Sequence, residues 1–257
     1  MKKIFVLLFS TLFFGQALYA EDSLVTERMI GKEISARKSP YVIVQIKYKN
    51  KDNNEETGKE NGILISKKHV LMGAHGVCSL LKDITDFKVI AGNQTIDVVR
   101  YDFPDSFKCD SNIASCPDYD VLILTLKKSV KNKTFPIVSS AKKIKKGVYA
   151  KIAGYGDDFK TLKQSETVIT EKEKSFFLLA QFNNYTKYSG EEGSAAVTIK
   201  VKNKKKKKVD AIAGMATCYL EYFEGPNLKT QDRILMLQDN KIKKFIKNVT
   251  RNKAKFM

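Results

Sequence analysis

Short apolar runs separated by turn residues recur along most of the chain. They fall at Tyr41–Ile46, Gly62–Ile65, Val70–Met72, Phe87–Ala91, Ile96–Val99 and Val121–Leu126, and resume at Tyr149–Ala153, Thr167–Thr170, Phe176–Phe182, Ala195–Val201 and Ala211–Ala216. Runs this short and this frequent predict many antiparallel strands closing into a sandwich or barrel, rather than alternating strand–helix units. The lysine-rich stretch Lys128–Lys146 interrupts the series and reads as a linker between residues 29–130 and 131–238. After it the period changes once. Ile242, Phe245, Ile246 and Val249 are spaced i, i+3, i+4, i+7 with lysines and asparagines between them, which predicts an amphipathic helix within 239–257 that packs its apolar stripe on the body.

The beginning of the chain follows a different pattern. Lys2 and Lys3 precede a largely apolar segment, Ile4–Phe14, and then the small residues Gly15, Ala17 and Ala20, the layout of a secretory leader cleaved after Ala17 or Ala20. That segment is shorter than the roughly 20 residues a membrane helix needs, and no later run supplies them. The expectation is a leader over 1–20, a short propeptide over 21–28, and a secreted or periplasmic protein with no membrane span.

Charge adds a surface property. The formal net charge is +18, and removal of Lys2 and Lys3 lowers it by two. Such a field favours anionic surfaces, acidic proteins or polyanions without choosing among them. The densest block, Lys204, Lys205, Lys206, Lys207 and Lys208, lies between two strand-like runs and reads as a hairpin tip, either a solvated loop or an anionic docking site. Nucleic acid is not an expected partner, because no binding motif and no interleaved aromatic pattern accompanies the charge. Four cysteines, at 78, 109, 116 and 218, would form two disulfides in an oxidising compartment, in any of three connectivities. Cys109 and Cys116 bracket a short polar loop and are the expected pair. With two histidines in the chain, no zinc-ligand spacing fits the thiols, and no metal or organic cofactor is implied.

Seven segments, in order, resemble the trypsin/chymotrypsin-like serine peptidases. Arg28-Met29-Ile-Gly-Lys32 looks like that family's activation site, and Ser39-Pro-Tyr-Val-Ile-Val44 like its first strand. Gly62-Ile-Leu-Ile-Ser66 and Val70-Leu-Met-Gly-Ala-His75 resemble the strand pair leading to the catalytic histidine. Tyr119-Asp120-Val-Leu-Ile-Leu resembles the aspartate strand, Ile152-Ala-Gly-Tyr-Gly156 the start of a second barrel, and Ile212-Ala-Gly-Met-Ala-Thr217 the strand lining the substrate cleft. The resemblance implies an all-β fold of two six-stranded antiparallel barrels with a C-terminal helix, the site lying in the crevice between them and taking a protein or peptide. Gly76 departs from the pattern, standing where the family usually has a cysteine, so Cys78 would need another partner.

The chemistry implied is that of a Ser/His/Asp triad, in which an imidazole takes the proton of a serine and a carboxylate fixes the imidazole's tautomer. His75 is the expected general base and Asp120 its partner; His69, after two lysines, is expected at an exposed strand start. The nucleophile segment reads Gly190-Glu191-Glu192-Gly193-Ser194-Ala195. In one register Gly190 supplies the oxyanion hole, Glu191 is the acid that pairs with the amino group freed at Met29 after cleavage at Arg28, and Glu192 occupies the nucleophile position. In the other, Ser194 is the nucleophile and Glu192 falls where an oxyanion-hole amide should be presented. Thr186 or Tyr188, depending on the register, would occupy the base of the specificity pocket. The first register predicts a pseudoprotease that binds protein, the second a working endopeptidase. A basic polyanion-binding or adhesion module with a vestigial site is a third expectation.

Overall fold

A computed structural model of the protein describes residues 32–108, 119–156, 159–173, 176–179, 195–224 and 227–257, with the backbone alone over 217–224 and 227–232. Thirteen strands, two α-helices and one short 3-10 helix (Ala141–Lys143) are formed in these segments. A two-residue strand β1 (Lys32–Glu33) is followed by β2 (Tyr41–Lys49), β3 (Glu55–Ser66), β4 (His69–Met72), a one-turn helix α1 (His75–Cys78), β5 (Ile84–Ala91), β6 (Gln94–Asp102) and β7 (Leu122–Leu126). The second half holds β8 (Tyr149–Tyr155), β9 (Leu162–Lys172), β10 (Phe176–Leu179), β11 (Ala196–Lys202), β12 (Lys208–Glu224), β13 (Asn227–Met236) and helix α2 (Asn240–Val249).

Two closed six-stranded antiparallel barrels result. The first runs β2-β3-β4-β7-β6-β5 and back to β2; the second runs β8-β9-β10-β13-β12-β11 and back to β8, with β1 added on the edge of β9. Closure explains the unbroken apolar runs. In β2, Val42, Val44 and Ile46 point into the first barrel, while Tyr41 and Ile43 on the other face meet the second barrel. Leu64, Val70 and Met72 likewise fill the first barrel, and Ile63, Ile65 and Leu71 join the seam between barrels. A strand covered on both faces loses the alternation of a half-solvated one. In the second barrel Val197, Ile199 and Val201 face inward and Ala196 faces the seam.

Two polar side chains cross that seam. Asn61, on β3, donates from Nδ2 to the Tyr155 carbonyl (3.1 Å) and accepts the Tyr155 N–H at Oδ1 (2.6 Å), so one buried amide satisfies both backbone groups of a residue at the end of β8. Tyr41 of the first barrel hydrogen-bonds Thr198 of the second, and burial raises its hydroxyl's pKa above the ordinary tyrosine value.

Helix α2 opens on Asp239, whose carboxylate accepts the N–H groups of Lys241 and Ile242, and buries Ile242 and Ile246, with Phe245 and Val249 packed partly against the same seam cluster. The helix ends at Val249, short of the chain end to which the predicted segment extends. Arg251 and Asn252 have left-handed φ of 48° and 59°, and the tail returns to the interbarrel connection: Ile137 N–H bonds the Lys255 carbonyl, and Met257 N–H bonds the Ile137 carbonyl.

Strand β13 is absent from the sequence-derived series. Its Asn227–Arg233 part is mostly polar and pairs with β12 out to Glu224↔Asn227, an extension specified by backbone pairing rather than by hydrophobic pattern. His69 also differs from expectation. It is 6% exposed, not at an exposed strand start, because β4 is flanked by β3 and β7 and the ring turns inward onto Ser66.

Candidate active site

Strands β4 and β7 are antiparallel neighbours in register Met72↔Leu122, so the chain leaves β4 close to where it arrives at β7. His75 lies three residues beyond Met72, at the first position of α1, and Asp120 two residues before Leu122. The backbone arrives at Asp120 through a tight turn: Tyr119 has φ of 61°, unusual for a bulky residue, and its carbonyl accepts the Val121 N–H at 2.7 Å. Lys241 at the start of α2 sits 5.2 Å from the Tyr119 ring centroid, so the C-terminal helix braces the aspartate turn.

Asp120 is fully buried and uses both oxygens. Oδ1 accepts the backbone N–H of Ala74 (2.7 Å) and of His75 (2.8 Å), and Oδ2 lies 2.5 Å from His75 Nδ1. One carboxylate therefore fixes the backbone that carries the histidine and also the ring. With Nδ1 donating to the carboxylate, basicity is left at Nε2, and the carboxylate compensates the positive charge that the ring acquires on taking a proton there. Two of the three members of the expected triad are thus brought together by adjacent strand ends of one barrel.

Glu60 and Gly76 supply a feature the sequence did not signal. A side chain at Gly76 would begin 2.6 Å from Glu60 Oε1 and 2.9 Å from its carboxyl carbon, so the glycine leaves room for this buried carboxylate beside the His75 segment. Cys78, at the end of α1, is disulfide-bonded. Among the described residues no group of three or more histidine, cysteine, aspartate or glutamate side chains could hold a metal ion.

The other residues singled out from the sequence lie outside the described segments: Arg28 and Met29, Cys109 and Cys116, Thr186 and Tyr188, and the whole of Gly190, Glu191, Glu192, Gly193 and Ser194. The chain is described again from Ala195, whose carbonyl accepts the Ala216 N–H at 2.9 Å. Ala196 packs in the same seam cluster as Leu71, Ile123 and Val121, the residue after Asp120. The strand following the nucleophile segment thus begins at the seam that carries the aspartate. Asn61 and Tyr155, which fix that seam, were not among the expected site residues; the only trace of Asn61 in the sequence is a polar residue at the start of an apolar run.

No protein-family model and no curated protein sequence matches the chain. Among solved structures, that of the scabies mite inactivated protease paralogue S-I1 superposes with a TM-score of 0.61, covering 87% of this chain and 99% of that one at 13% identity. The protein has the chymotrypsin-like fold.

Proposed function

We propose that this protein is an exported serine-peptidase homologue that keeps the base and carboxylate of a hydrolytic triad, carries Glu192 at the nucleophile position, and binds polypeptide in the crevice between its barrels without cutting it. The observation carrying this reading is an assembled His75–Asp120 pair on a chymotrypsin-like scaffold whose nucleophile segment reads Gly190-Glu191-Glu192-Gly193. The neighbouring structure supports it, being itself described as an inactivated protease paralogue. Export is supported by the apolar Ile4–Phe14 segment and by oxidised Cys78. Loss of the nucleophile from such a triad costs on the order of 10⁶ in turnover, so no acyl-enzyme forms.

A specific observation favours a second reading, an endopeptidase using Ser194. Burial alone does not require a histidine ring held at 2.5 Å by a carboxylate that two backbone donors hold in turn, and this is the orientation a working base needs.

A serine-reactive fluorophosphonate separates the two. The expected result is no labelling of the folded wild type, before or after limited cleavage at Arg28, and labelling of Glu192→Ser that disappears when His75→Ala is added. Labelling of the wild type that both Ser194→Ala and His75→Ala abolish would overturn the pseudoprotease reading in favour of the enzyme.

A further inference from the structure

Strand β11 starts at the interbarrel seam with Ala196 and ends at Lys202, about 20 Å away at the usual rise per residue. Its far end turns back into β12 through the lysine block. The turn is well formed: Asn203 Oδ1 accepts the N–H groups of Lys205 and Lys207 at 2.9 and 3.0 Å, Asn203 N–H bonds the Lys207 carbonyl, and Lys206 takes a left-handed φ of 60°. Lys204–Lys208 are all exposed. The barrel brings a second basic group to the same end. Strand β8 pairs with β11 in register Ala150↔Ile199 and Ala153↔Ala196, so the residues preceding β8 lie beside the hairpin. They include Lys142, Lys143, Lys145 and Lys146, also exposed. None of these nine lysines is in an ion pair with a described carboxylate. Among the described residues, the acidic groups at this end include Glu171 and Glu173 of the β9 end, the latter paired with Arg233, and Asp210, paired with Lys200.

In the midst of this charge stands Tyr149, the first residue of β8, 76% exposed. A phenol ring with an apolar body and a polar tip, at the barrel end that carries these lysines, is the combination that settles at a bilayer's headgroup level. The nine exposed basic residues are all lysine. Arginine's planar fork would be the choice for two-point recognition of sulfate or phosphate esters along a polymer, whereas ammonium point charges suit a diffuse anionic surface. The site is also a projecting hairpin and turn rather than a groove that could track a strand.

We propose that this lysine-rich pole of the second barrel docks the protein on an anionic phospholipid surface, with Tyr149 inserted between headgroups. Docking at the far end of β11 leaves the seam end of that strand directed away from the lipid. The proposal is independent of whether the site cuts.

Co-sedimentation of the full-length mature protein with vesicles tests it, using phosphatidylcholine alone and phosphatidylcholine mixed with phosphatidylglycerol, alongside retention on immobilised heparin. A lysine near such a surface contributes about fivefold in partitioning. The variant Lys204→Gln, Lys205→Gln, Lys207→Gln, Lys208→Gln is therefore expected to lose nearly three orders of magnitude on the mixed vesicles. A control with the same charge change on the first barrel and connection, Lys82→Gln, Lys127→Gln, Lys128→Gln, Lys131→Gln, should lose far less. Tyr149→Ser should weaken vesicle binding several-fold while leaving heparin retention unchanged. Equal loss in the two quadruple variants would reduce the effect to net charge and overturn the proposal. So would heparin retention without vesicle binding, which would assign the pole to a soluble polyanion, or a Tyr149→Ser variant that binds vesicles like the wild type. Circular dichroism of each variant confirms that the barrels are intact.

Discussion

The two histidines lie six residues apart, both largely buried and both held through Nδ1, yet their surroundings give them opposite chemistry. His75 meets a carboxylate: Asp120 Oδ2 at 2.5 Å, itself fixed by the Ala74 and His75 amides. His69 meets a hydroxyl: Ser66 Oγ at 2.6 Å, which also accepts the Lys68 N–H at 3.2 Å. Burial is the main cause that lowers the His69 pKa to about 4, with Lys253 and Arg100 adding to it. A serine beside a histidine looks like a nucleophile and its base, but a ring kept neutral by burial and nearby cations, which Asp102 offsets only in part, is a poor acceptor for a serine proton. The lesson is that the third member decides, and that Ser66–His69 is a packing pair.

The comparison can be broken most sharply at its charged member. Asp120→Ala should destabilise the protein by about 3–5 kcal/mol in chemical denaturation, because two backbone donors and a ring nitrogen lose their acceptor in a buried site. A loss under about 1 kcal/mol would mean that the carboxylate does not organise the segment. Next comes pH. His69 has a folded-state pKa of about 4 against 6.5 in the open chain. Below 6.5 the unfolded chain binds a proton that the native state refuses, so the associated stability is complete above 6.5 and is lost as pH falls towards 4. The loss should amount to roughly 2–3 kcal/mol. His69→Gln should flatten the stability curve over that interval; an unchanged slope would assign acid sensitivity to other groups. The smallest effect is expected at Ser66→Ala. Removal of a neutral hydroxyl should cost roughly 1–2 kcal/mol, well below the Asp120 substitution. Equal costs would erase the distinction drawn here.

Much of the fold was legible because the barrels write themselves into continuous apolar runs, and α2 into a helical stripe that the structure buries through Ile242 and Ile246. Strand β13 was not, since its Asn227–Arg233 part gains its place from pairing with β12 and not from an apolar face. At the site, His75 and Asp120 could be read from their settings at the ends of apolar strands. The burial of His69 could not, because Lys67 and Lys68 before it suggest solvent while pairing with β3 and β7 encloses the ring. Asn61 and Glu60 were equally hidden. Their roles depend on Tyr155, 94 positions away, and on the missing side chain of Gly76, relations that no local pattern encodes.

The tail bonded to Ile137 has a consequence for biosynthesis. All strands of the first barrel have been made once Leu126 emerges, whereas Ile137, in the connection leading to the second barrel, bonds the backbone of Lys255 and Met257. At ordinary rates of translation, on the order of ten seconds separate those two points. For that interval the nascent chain can carry a closed first barrel ahead of a connection whose final partners do not yet exist. The seam that carries the site is then sealed by residues made more than a hundred positions later.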